Sequence, residues 1–276
     1  MEVIIQPTAD AAALLVARLI AKHLRAKPSL VLGLATGRTM ERVYEYLTEM
    51  HRREKLDFSL CRTFNLDEYV GLPPNDPHSY RYYMDRHLFS RVNIDRRNTH
   101  LPNGAARDLA AECRHYEELI RDCGGIDLQL LGIGADGHIG FNEPLSALRS
   151  RTREKALTPA TIRQNAPLFG GKISAVPRRA LTMGVGTILE ARRILMLVTG
   201  AEKATILAKA VEGPMTAMVT ATALQLHPDC KVIVDEAAAK RLRGKAYYRW
   251  IFKNEPEWQE FRAAPSIRRA RSRRSR

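Results

Sequence analysis

Cysteine is scarce in this 276-residue chain. Cys61, Cys113, Cys123 and Cys230 are scattered, form no CxxC pair and are too few to staple a chain of this length, so buried free thiols are expected. Long apolar runs are missing too. No stretch approaches the roughly 18 to 20 consecutive apolar residues of a membrane span. The opening MEVIIQPTAD carries neither the basic region nor the small-residue cleavage site of a signal peptide. The expected compartment is therefore the cytoplasm, with no membrane partner. Also absent are the lysine of a GxxxxGK[ST] loop, the GxGxxG spacing, HExxH and any Cys/His zinc spacing. Nucleotide hydrolysis, a nicotinamide cofactor and a bound metal all lose support.

What is present is a globular composition, 45% hydrophobic and 27% charged, with a net charge of +14. Half of that charge sits in one place. Seven arginines and no acidic residue lie between Arg262 and Arg276, which predicts a disordered basic tail over 262–276 behind a single α/β domain over 1–261. The rest is moderately basic, which suits an anionic small substrate as well as a polyanion. Nucleic acid is not expected as a partner beyond non-specific binding by the tail.

Short β-rich runs alternate with longer helical ones, which predicts one doubly wound, mostly parallel sheet with helices on both faces. Helices are expected over 9–25, 39–53, 79–89, 108–121, 202–211 and 236–242. Strands are expected over 29–35, 62–65, 126–133, 193–198 and 231–234, with the first helix preceding the first strand. In an open parallel sheet, ligands sit beyond the carboxyl ends of the strands. Four such ends carry GLATGRT (33–39), NLDEY (65–69), GIGADGH (132–138) and TGAEK (199–203), and these are expected to converge on one cleft.

Gly33, Gly37 and the hydroxyls of Thr36 and Thr39 sit where a strand turns into a helix, a place where backbone N–H groups and the helix dipole attract phosphate. The plain alternative is a tight connection. Asp67 and Glu68 would point in opposite directions from extended chain, so at most one faces the cleft, as a general base or as part of an acidic pair capping a loop. In GIGADGHIGFNEP (132–144), Asp136 and Glu143 could orient and charge-stabilise His138. The glycines there, Gly134 among them, indicate that backbone must approach a ligand closely. Lys203 opens a helix just after a strand and could meet a phosphate there.

These segments, with TFNLDEYVGL (63–72), SRTR (150–153), VPRRALTMGVGTIL (176–189) and LQLHP (224–228) in order, resemble the glucosamine-6-phosphate deaminase family, also called glucosamine-6-phosphate isomerase, over about 31–236. The resemblance implies a Rossmann-like fold and conversion of D-glucosamine 6-phosphate and water to D-fructose 6-phosphate and ammonia, without metal or organic cofactor. It also implies that Asp67 takes the C2 proton and that His138, aided by Asp136 and Glu143, opens the pyranose ring. The phosphate loop departs from the usual TGGTP, with Arg38 and Met40 in place of glycine and proline, and Pro167 stands where relatives carry an arginine. Either Arg38 supplies the missing charge or the substrate differs, and the retained Lys203 favours an unchanged phosphorylated substrate. Some relatives are hexamers with an allosteric site, which Ser146, Arg153 and Lys155 partly match, so a homo-oligomer is expected and regulation stays open. A different amino-sugar phosphate, such as the galactosamine epimer, and a non-catalytic sugar-phosphate sensor are the alternative readings.

Overall fold

Valine-, leucine- and isoleucine-rich runs of four to six residues recur along the chain, each followed by a helix or turn. The computed structural model describes residues 1–262, so the tail expected over 262–276 lies, apart from Arg262, outside the described residues. The chain runs β1 (Glu2–Gln6), α1 (Ala9–Ala26), β2 (Val31–Leu34), α2 (Arg38–Glu54), β3 (Arg62–Asn65), β4 (Asp67–Tyr69), α3 (Tyr80–His87), β5 (Thr99–His100), α4 (Leu109–Asp122) and β6 (Leu128–Leu131). It continues through β7 (Arg153–Ala156), α5 (Pro159–Asn165), β8 (Arg179–Thr182), α6 (Val185–Leu189), β9 (Ile194–Val198), α7 (Ala204–Glu212), β10 (Cys230–Asp235), α8 (Lys245–Asn254) and α9 (Gln259–Arg262).

Seven strands form one sheet in the order β1-β10-β9-β6-β2-β3-β5, and every neighbouring pair in it is parallel. Every residue of β2, β6 and β9 is buried, which requires cover on both faces. From β2 the chain first builds outward through β3 to β5, then returns to place β6 on the other side of β2. That reversal makes a crevice beyond the carboxyl ends of β2 and β6, the switch point of a Rossmann-like fold.

Helix starts follow local chemistry. Thr8 caps α1 and Asp108 caps α4 through side-chain oxygens that accept the N–H of Ala11 and Ala111, at 3.1 and 2.9 Å. Asp108, the first residue of the helix expected over 108–121, is thus its cap. α4 ends at Asp122, and Gly124 and Gly125, with φ of 79° and 83°, turn the chain just after it. Cys61, Cys113 and Cys230 are buried, Cys123 is partly exposed, and all four are free thiols.

Several features depart from the sequence expectation, the unexpected strand β5 and helices α5, α6, α8 and α9 among them. A strand, β1, precedes the first helix and pairs with β10 at the edge of the sheet. A second, antiparallel sheet, β4-β8-β7, stands beside the first over its own apolar cluster, which includes Tyr69, Phe141 and Phe169. Its strands are three or four residues long, and β7 (REKA) alternates partly buried and exposed residues without an apolar run. The helix expected over 236–242 is only a 3-10 turn, Ala238–Arg241, because Asp235 Oδ1 takes the N–H of Ala238 at 2.8 Å and closes a local turn instead.

Candidate active site

A single residue, Leu66, separates β3 from β4. Its N–H donates to the carbonyl of Leu34 in the large sheet, while its own carbonyl accepts from Met183 beyond β8. The chain thus steps from one sheet to the other at Leu66, and the step delivers Asp67 into the crevice. Successive strand residues face opposite ways. Asp67 lines the cleft, whereas Glu68 turns inward and accepts the N–H groups of Tyr69, Tyr80 and Arg81, each at 2.9 Å. Glu68 is the capping acid, and it anchors α3.

The cleft encloses about 820 Å³ and receives all four strand ends singled out by the sequence. Thr36, Gly37, Arg38 and Thr39 line it after β2, Asp67 after β3, Gly134 and His138 after β6, and Lys203 after β9. Gly37 has φ of 109° at the N-cap of α2, a left-handed turn that a side chain would strain. Arg38 follows it, exposed, and among the described residues it pairs with no carboxylate. Lys203 Nζ donates to the carbonyl of Ile133 at 2.9 Å; burial holds its pKa down, against the pull of Glu202 and Asp136.

His138 Nδ1 lies 2.6 Å from Asp136 Oδ1 and 3.5 Å from Glu143 Oε2. The approach lies off the line of the ring N–H, so the contact is an ion pair rather than a linear hydrogen bond. Burial alone would lower the imidazole pKa, but Asp136 and Glu143 outweigh it and hold it up at about 9. Asp136 is held at about 2: burial pushes it up, and the His138 imidazolium, with the backbone N–H of the same residue, pushes it further down. Glu143 also accepts the N–H of Thr158 at 3.0 Å, tying the histidine to the start of α5. A Cβ on Gly134 would sit 2.3 Å from the His138 ring, so that glycine makes room for the imidazole.

Asp67 shows the opposite electrostatics. Burial first, then the charge of Glu68, raises it to about 7, with His138 pulling the other way. Its carboxylate accepts no hydrogen bond among the described residues, so it is free to take a proton. Asp136, His138 and Glu143 place one potential ligand atom each within 4.8 Å of one another, a spacing that a metal ion could use. The ion pair between the imidazole and the two carboxylates accounts for that spacing on its own.

The structure separates the remaining sequence candidates from the cleft. Gly33 is buried inside β2, where a Cβ would meet the Gln129 side chain at 2.0 Å; its missing side chain serves packing. Ser146 is buried with its hydroxyl unpartnered, Arg153 Nη1 donates to Asn142 Oδ1 at 2.9 Å, and Lys155 lies two residues along β7. None of these three lines the cleft, and neither does Pro167. Sequence reasoning missed Tyr80 and Tyr83 on α3, and Gln164, Asn165 and Leu168 near the end of α5, all of which do. Tyr83 hydroxyl donates to the Gly37 carbonyl at 2.9 Å and so braces the phosphate loop. The segment around Pro167 was the one available signal for the α5 side.

Comparison with known proteins agrees with this geometry. The profile of the family described as glucosamine-6-phosphate isomerases/6-phosphogluconolactonase matches residues 6–232. A glucosamine-6-phosphate deaminase of Arthrobacter sp. (strain FB24) is 50% identical over 94% of this chain and 99% of its own. One of Streptomyces coelicolor is 48% identical over the same shares. A solved structure described as a monomeric glucosamine-6-phosphate deaminase superposes with a TM-score of 0.86 at 44% identity, covering 87% of this chain and all of that one. The 6-phosphogluconolactonase of Thermotoga maritima, at 21% identity, TM-score 0.66 and 85% and 100% coverage, shares the fold. With a profile spanning most of its length and relatives half identical along nearly all of it, the chain belongs to the glucosamine-6-phosphate isomerase and 6-phosphogluconolactonase family.

Proposed function

We propose that this chain is a glucosamine-6-phosphate deaminase, converting D-glucosamine 6-phosphate and water to D-fructose 6-phosphate and ammonia. The observation that carries the reading is the pairing, in one cleft, of a charged histidine with an unpartnered carboxylate poised near pH 7. The imidazolium of His138 gives a proton to the ring oxygen as the C1–O5 bond breaks, and the O1 hydroxyl proton passes to the imidazole. The aldehyde so formed acidifies the C2 hydrogen. Asp67 takes that proton, the C–H electron pair forms C1=C2, and O1 takes back the proton held by the His138 imidazolium, giving an enolamine. Return of the proton to C1 yields the C2 imine; water adds to C2, and ammonia leaves.

The deciding experiment is an ammonia-release assay with the 6-phosphates of glucosamine and galactosamine and with both free sugars. Rapid release from glucosamine 6-phosphate supports the reading. Preference for the galactosamine epimer would reassign the substrate, and no release from any of them would leave a sugar-phosphate sensor. The compartment is the cytoplasm in this reading; no described helix is long and apolar enough to cross a membrane. The homo-oligomer expected from the sequence finds support in one exposed apolar patch, Leu145 with Met215 and Met218, while the 44% identical relative is described as monomeric. Sedimentation of the full chain decides between them.

Arg38 holds the substrate phosphate together with Lys203 and the amides at the start of α2. Charge-assisted bonds of this kind contribute about 1.5 to 3 kcal/mol. Arg38→Ala should therefore raise KM for glucosamine 6-phosphate about ten- to a hundredfold with little change in kcat, because the phosphate is remote from C1 and C2. Steady-state kinetics check this, and an unchanged KM would make Arg38 a solvated side chain.

A further inference from the structure

α3 divides its side chains between two cavities. Tyr80 and Tyr83 face the cleft, while Arg81, Tyr82, Asp85 and Arg86 line a separate groove of about 540 Å³. The short turns that follow α3 complete the groove and bring in Arg91 and Arg96, so four arginines spaced five residues apart converge on one concave surface. Asp85 is the one carboxylate among its lining residues. The catalytic cleft is balanced differently, with Arg38 and Lys203 accompanied by Glu41, Asp67, Glu202 and Asp235.

Two of the four guanidiniums are pinned. Arg81 Nη1 donates to the carbonyl and hydroxyl of Thr99 at 3.0 and 2.9 Å, with its guanidinium 5.6 Å from the Phe89 ring centroid. Arg96 pairs with Asp85 and donates to Ser90 Oγ at 2.8 Å. A guanidinium carries five N–H donors, so both retain unused ones. The side chains of Arg86 and Arg91 have no hydrogen-bond or ion-pair partner among the described residues. Unpaired like charges gathered in a concavity repel one another, and a bound anion relieves that repulsion.

We propose that this groove binds a compact oligophosphate, two or three linked phosphates either free or carried on a nucleoside. Four guanidiniums against one carboxylate exceed what a single phosphate dianion neutralises, whereas linked phosphates match the excess and accept from planar guanidiniums in pairs. Tyr82, 37% exposed on the groove wall, offers one aromatic face. A single-stranded nucleic acid would call for several stacking rings along an extended track, and the groove has one.

The test is calorimetric titration of the full chain with inorganic triphosphate, ATP and a ribo-oligonucleotide, for the unaltered protein, Arg86→Ala/Arg91→Ala and Arg38→Ala. Neither the Arg86 nor the Arg91 side chain makes a bond to the described residues, so the double variant should keep its Tm, kcat and KM. It should bind triphosphate about tenfold or more weakly, while Arg38→Ala binds as the unaltered protein does. Equal affinity for triphosphate and ATP assigns the binding to the phosphates alone, and tighter ATP adds the Tyr82 ring; both support the site. Unchanged binding in the double variant, weakening by Arg38→Ala instead, or binding of the oligonucleotide without binding of triphosphate would each overturn the proposal.

Discussion

Asp67→Asn should fold and lose about a hundred- to ten-thousandfold in kcat, the usual contribution of a positioned general base. The amide matches the carboxylate in size, so the cleft keeps its shape, but it cannot accept the C2 proton. In the unaltered protein, Asp67 is raised to about 7 by burial and by Glu68. The acid limb of kcat/KM should accordingly fall off below about pH 7, and this limb should vanish from the residual activity of the variant. Stability should move the other way. A carboxylate raised in the folded state binds its proton more tightly there than in the unfolded chain, so the fold loses stability as pH rises from about 4 through about 7. A neutral amide avoids that loss, and Asp67→Asn should melt higher than the unaltered protein at pH 8 with the gap closing toward pH 4. Near-normal turnover would remove Asp67 from the reaction, and lost activity with a lowered Tm at pH 8 would make it a structural acid.

The two acids of NLDEY also mark how far a linear sequence can be read. Strand alternation fixed that only one of Asp67 and Glu68 could face the ligand, and the structure puts them on opposite sides. Which one faces in depends on Leu66 bridging two sheets, and the second sheet was not legible because its strands are short and β7 is charged. The histidine cluster was legible because Asp136, His138 and Glu143 lie within eight residues of one glycine-dense loop. Gly33 misled for the converse reason. A glycine just before a strand-to-helix turn reads as a phosphate loop, yet its cause is Gln129, a neighbour across the sheet and 96 positions along the chain. Tyr80, Tyr83, Gln164 and Asn165 reach the cleft from helices whose placement is set by tertiary packing, such as the hold of Glu68 on α3, and no local pattern announces that. The large sheet, by contrast, was read from its buried apolar runs, and only its edge strands β1 and β5 escaped.

His138→Gln should lower turnover of the closed sugar by about a hundred- to ten-thousandfold, and its defect should be markedly smaller on an open-chain analogue that cannot cyclise. The imidazole enters the reaction where the ring oxygen must gain a proton, and Nε2 is the nitrogen left to deliver it while Nδ1 faces Asp136 and Glu143. An amide side chain of similar reach can donate a hydrogen bond but not a proton. Loss of stability would confuse the absolute rates. The folded-state pKa of His138 stands near 9, so the ion cluster stabilises the fold fully below about 6.5 and loses that contribution as pH rises through about 9. Glutamine removes the cation and leaves two carboxylates facing each other, which should lower Tm most at neutral and acidic pH. The ratio of the defects on closed and open substrates cancels this effect, since both are measured on the same folded fraction. Glu143→Gln serves as the companion variant: it keeps the imidazole and one carboxylate, lowers the imidazole pKa, and should shift the alkaline limb of the rate profile to lower pH without abolishing ring opening. Equal defects on the two substrates in His138→Gln would mean that the histidine shapes the loop and moves no proton.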